Sequence, residues 1–93
     1  MVAGADYTGG TDFGGPASAS GVVSVEAVGV HGQLVAVRTV TSPLLSVVAP
    51  GVDILQPGSS TGAWDRYNIG TGSSEATAWT SGVLALVWSA YPK

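Results

Sequence analysis

At 93 residues the chain forms at most one domain, and a free-standing domain of this length buries only about 60 to 65% of its unfolded surface, so its exterior should be polar. Yet only 10% of the residues are charged and the mean hydropathy is +0.37, where soluble domains carry about 25% charge; the chain is either the interior of a larger globule or bears an apolar patch that another chain covers. A net charge of -3, with Arg38, Arg66 and Lys93 the only cations, supplies no electrostatic footprint for nucleic acid or for an anionic membrane.

From Met1 to Gly21 the sequence is rich in Gly, Ala, Ser, Thr and Asp, as in "GADYTGGTDFGGPASASG". It reads as an irregular surface loop, with a plain Gly/Ser linker as the alternative. No basic segment followed by an apolar one opens the chain, so no signal peptide is legible. "VVSVEAVGV", Val22 to Val30, predicts a largely buried strand by its β-branched density. "HGQ" is a turn, and "LVAVRTV", Leu34 to Val40, is extended or irregular. "LLSVVAPG" predicts a short strand stopped at Pro50-Gly51, and "VDIL" a second strand directly after it. "QPGSSTGAWDRYNIGTG" predicts a hairpin around Ala63 to Ile69. Ser74 to about Tyr91 predicts a helix that Pro92 ends.

That helix is apolar on nearly every face, which predicts burial all round. Its longest unbroken apolar run, Val83 to Trp88, is far short of the ~18 residues of a membrane span. Buried strands, glycine-rich turns and a central helix make an α/β layered architecture. Three or four short strands cannot enclose such a helix, so more protein is needed. The absence of cysteine excludes disulfides and thiolate zinc sites. Asp6, Asp12, Glu26, Asp53, Asp65 and Glu75 are too widely spaced to read as a calcium loop, so neither a metal nor a cofactor is called for.

Two serines stand where "GTGSSEAT" turns from glycine-rich loop into helix. A serine there can cap orphan backbone N–H groups, or it can be a nucleophile if an imidazole removes its proton and a carboxylate orients the imidazole. Glu75 does not complete a capping box, because Gly72, three residues before it, has no side-chain acceptor. Local chemistry alone leaves cap and nucleophile both open.

In order, "PASASGVVSVEAVG", "HGQL", "VVAPGVDIL", "YNIGTGSSEAT" and "SGVLALVWSAYP" resemble the C-terminal part of the subtilisin-like serine protease catalytic domain over nearly the whole chain. The resemblance implies a partial three-layer α/β fold: a loop over 1–21, strands and turns over 22–73, and a buried nucleophile helix over 74–91. It places the family's nucleophile at Ser74, since Gly82, eight residues on, falls on the family's helix glycine. Ser73 takes the place of the family's threonine. Ala78 stands where the family has proline, and Trp79 replaces the residue after it. The family's "AAGN" strand end falls on Val2 to Ala5, leaving Ala5, or Asp6 after a slip of one, where a side-chain oxyanion donor is required. Loss of one such donor costs about 10² to 10³ in turnover, a figure that comes from subtilisin itself. Gly4 and its loop are expected to wall a substrate-side pocket.

Along subtilisin-like chains the triad runs Asp, His, Ser, so both earlier members are expected on polypeptide ahead of this segment. His31 occupies a turn and reads as a solvated loop histidine; a new triad with Asp12 or Asp53 has nothing to motivate it. The resemblance thus implies a serine endopeptidase acting on peptide or protein substrates, secreted, and incomplete without a missing N-terminal portion or a companion chain. The rivals are a catalytically inactive subtilase-like module that binds or supports a partner, and an unrelated small α/β domain whose Ser74 caps a helix.

Overall fold

The computed structural model describes residues 1–5, 15–33, 44–58 and 66–92. Expectations for "LVAVRTV", for Asp6, Asp12 and Asp65, and for most of the turn leading into Tyr67 lie outside the described residues.

Three strands, β1 (Val2–Gly4), β2 (Val23–Val28) and β3 (Val47–Pro50), form a parallel sheet in that order. The registers Gly4↔Val25 and Ala27↔Ala49 set small side chains in a row on one face. On that face lies α1 (Ser73–Ala90), which buries Ser73, Ala76 and Thr80 at helical spacing against the sheet. Ala76 joins Val25, Ala27 and Ala49 in one core cluster, where alanine on both sides lets helix and sheet approach closely. On the opposite face Ala3, Ala5 and Ala17 cluster with Val22 and Leu45. Ser24 is buried there and is satisfied by the Leu44 carbonyl, to which its Oγ donates at 2.6 Å, and by the Ser46 amide, which donates to that Oγ at 2.9 Å.

Two further strands, β4 (Ile54–Pro57) and β5 (Tyr67–Gly70), pair antiparallel with Gln56 opposite Asn68.

Three expectations are corrected. Met1 to Gly21 is not loop throughout, because Val2–Gly4 finds a parallel partner in β2 and Gly15–Ser18 makes a 3₁₀ turn over the sheet; the signal of three short residues was hidden in a glycine-rich stretch. The "VDIL" strand starts two residues late, at Ile54. Asp53 has φ 54°, a left-handed conformation that Asp tolerates but that breaks an extended backbone. Finally, the C-terminal part of α1 is not buried: Val83, Leu84, Leu86, Val87 and Trp88 are all exposed. Among the described residues, β1, β2 and β3 cover only its first two turns.

Candidate active site

The carboxyl ends of parallel strands, where loops leave the sheet, are where α/β folds place their ligands, and α1 begins there. Gly4, the last residue of β1, lies so close to the helix that a methyl added to it would come within 2.8 Å of Ser73 Oγ and 3.4 Å of Thr77 Oγ1. Gly51, directly after β3, accepts a hydrogen bond from the Gly72 amide at 2.8 Å. The Asp53 amide donates to Thr71 Oγ1 at 2.9 Å. The glycine-rich approach to the helix is thereby tied to the turn that follows β3.

Within α1, Gly72 is the N-cap residue and has no side chain to cap with; Ser73, Ser74 and Glu75 follow as the first three helical positions. Ser74 therefore does not cap α1. Ser73 is buried against Gly4, whereas Ser74 is exposed. Hydroxyls elsewhere in the helix are committed to backbone carbonyls one turn back: Thr77 to Ser73 at 2.7 Å, Thr80 to Ala76 at 3.0 Å and Ser81 to Thr77 at 2.8 Å. Ser74 Oγ makes no hydrogen bond among the described residues. Amides of a helix's first turn have no intrahelical acceptor, and the helix dipole is positive there. An exposed hydroxyl at this position sits beside groups that favour negative charge.

The other expected residues are placed as follows. Gly4 is half-buried and touches the buried serine neighbour of Ser74 rather than opening to solvent alone. Ala5 is 1% exposed and its amide donates to the Val25 carbonyl at 2.7 Å, so neither its side chain nor its N–H is available to an oxyanion. His31 is exposed in the turn after β2, its amide donating to Gln33 Oε1 at 3.0 Å. Among the described residues no three His, Cys, Asp or Glu side chains converge as a metal site would require.

Sequence reasoning did not foresee the contact between Gln56 and Glu75, in which the Gln56 amide donates to Glu75 Oε1 at 3.2 Å. Glu75 carried a weak signal as an acid in a helix's first turn. Gln56 carried none, because the pairing spans a chain reversal.

Beside this contact runs an apolar groove of about 460 Å³, lined by Ile54, Gln56, Ala78, Trp79, Val83 and Leu86 among others. A second, of about 370 Å³, lies between β3 and the other flank of Trp79 and Val83. The two make the exposed flank of α1 almost wholly hydrocarbon.

Residues 3–93 match the subtilase family. Over 92 residues the chain is 39% identical to a thermostable alkaline protease of Halalkalibacterium halodurans; the match covers 99% of this chain and 24% of that protein. The chain therefore spans about a quarter of the length of this curated relative. With the parallel sheet, the helix rising from its carboxyl edge and the ordered motifs that end in "GTGSSEAT", the match over all but two residues shows that the chain belongs to the subtilase family.

Proposed function

We propose that the chain is the nucleophile-bearing C-terminal part of a subtilisin-like serine endopeptidase, with Ser74 as nucleophile and the triad aspartate and histidine supplied by polypeptide beyond these residues. The observation that carries this reading is the exposed Ser74 hydroxyl, uncommitted among the described residues, on the first turn of α1 at the carboxyl edge of a parallel sheet. Ser74 Oγ attacks the carbonyl carbon of the scissile peptide bond and gives its proton to the incoming imidazole. That imidazole then protonates the leaving amine, and water hydrolyses the acyl-enzyme by the same route in reverse order. Gly4 borders the substrate side of the cleft. The oxyanion draws on first-turn amides and on donors of the missing portion, because Ala5 contributes none.

The apolar flank of α1 supports the same reading. Its occupant is the rest of the catalytic domain, since the match covers only 24% of the protease relative. Alone, a serine without its base retains only what binding and oxyanion contacts provide.

A second reading, an inactive subtilase-like module docked on a partner through the same flank, draws on Ala5 and Ala78 standing where the family has asparagine and proline. A fluorophosphonate probe separates the two. The chain is mixed with the part of the Halalkalibacterium protease catalytic domain that precedes the matched segment, and adducts are located by peptide mass mapping. Adduct at Ser74 only in the mixture, abolished by Ser74→Ala, is the expected result. A folded, stably associated mixture that never labels establishes the inactive module.

A further inference from the structure

We propose that Glu75 and Gln56 form a clamp that positions Ser74 by fastening the β4–β5 hairpin to the first turn of α1. This inference rests on the reading of Ser74 as nucleophile for its catalytic consequence, though not for the existence of the clamp.

Among the described residues, three bonds outside the β4–β5 ladder join the segment after β3 to the segment that opens the helix. Two involve backbone groups of the turn itself, Gly72 to Gly51 and Asp53 to Thr71. The third, from Gln56 Nε2 to Glu75 Oε1, runs between side chains on β4 and α1 and is partly buried. Glu75 is the residue next to Ser74, so its carboxylate fixes the rotation of the first turn about the helix axis.

Gly70 and Gly72 fit this arrangement. A methyl at Gly70 would run into both the Gln56 amide and the Glu75 carboxylate, and one at Gly72 would stand 3.1 Å from Glu75 Oε2. The glycine-rich approach is thus not only a flexible turn; it is the floor on which the carboxylate lies. Hydrogen bonds to a charged acceptor are among the stronger ones. At a nucleophile, a displacement of about 1 Å costs on the order of a hundredfold in rate.

The clamp is tested by a double-mutant cycle. Gln56→Ala, Glu75→Ala, the double variant and Glu75→Gln are compared in the complemented protein by the rate of fluorophosphonate labelling at Ser74. Amide exchange across 70–76 is followed in parallel. Each alanine variant should slow labelling by about ten- to a hundredfold and speed exchange, and the double variant should be no worse than either single one. Glu75→Gln should recover most of the rate, since its side-chain oxygen still accepts from Gln56. Effects that multiply, labelling within about twofold of wild type in the single variants, or a Glu75→Gln variant as slow as Glu75→Ala would overturn the clamp. If the wild-type protein does not label at all, the nucleophile reading has failed. The exchange data then decide the clamp by themselves: a shared, non-additive loss of protection sustains it and independent or absent losses refute it.

Discussion

Ser73 and Ser74 show how one peptide unit separates a buried hydroxyl from an exposed one. Successive helical residues point about 100° apart; with Ser73 turned onto Gly4 and the sheet, Ser74 is carried out toward solvent. The residues that enforce this orientation are small ones with no room to grow. A methyl at Gly51 would lie 2.6 Å from the Gly72 carbonyl oxygen and 2.5 Å from the Ala27 side chain, both parts of packed backbone and core. Gly51→Ala is therefore expected to destabilise the complemented protein by about 1–3 kcal/mol, the usual cost of overpacking, measured by urea unfolding, and to lower labelling at Ser74 as the approach to α1 is displaced. An unchanged midpoint would mean that the turn after β3 does not hold the helix start.

At the scale of elements, α1 leads two lives along its length. Its first two turns pack on β1, β2 and β3 through Ser73, Ala76 and Thr80, whereas residues 81–90 are exposed throughout. Gly82 stands at the boundary, and a methyl there would meet open space among the described residues. In the isolated chain Gly82→Ala should therefore stabilise the helix by about 0.5–1 kcal/mol, the ordinary gain of alanine over glycine in a helix interior, read as a rise in the midpoint of the far-ultraviolet circular dichroism melt. Once the rest of the catalytic domain covers this flank, the sign should reverse or the gain vanish, because a close-packed neighbour leaves no room. The same gain with and without the companion would show that nothing packs against Gly82. The helix was legible from the length of its apolar segment and the stop at Pro92, and the buried strand β2 from its β-branched run. Strand β1 carries too little pattern in three residues and was legible only through the resemblance, whose strand end falls on Val2 to Ala5; the start of β4 was displaced by one backbone torsion at Asp53. The apolar character of the helix reads as a demand for burial that a few short strands cannot meet, and among the described residues its second half is indeed uncovered.

For the molecule as a whole, the proposed function makes low charge, the apolar flank of α1 and a match to a quarter of a protease relative one fact seen three ways: on that proposal this polypeptide supplies one side of a catalytic centre and one side of a hydrophobic core. The ordered motifs single out Ser74 as the candidate, and the structure puts it exposed on the first turn of α1 after a glycine-rich approach. Its neighbours across the chain reversal, Gln56 above all, left no local trace. The central claim, that the Ser74 hydroxyl becomes the acyl carrier once its partners arrive, is tested most directly by acid-quenching the complemented protein during turnover of a peptide ester and weighing the intact chain. One acyl group per chain is expected, mapped to the peptide containing Ser74 and absent from Ser74→Ala and from the 93-residue chain on its own. A stably associated complex with no acyl adduct, or with the adduct on another residue, would contradict it.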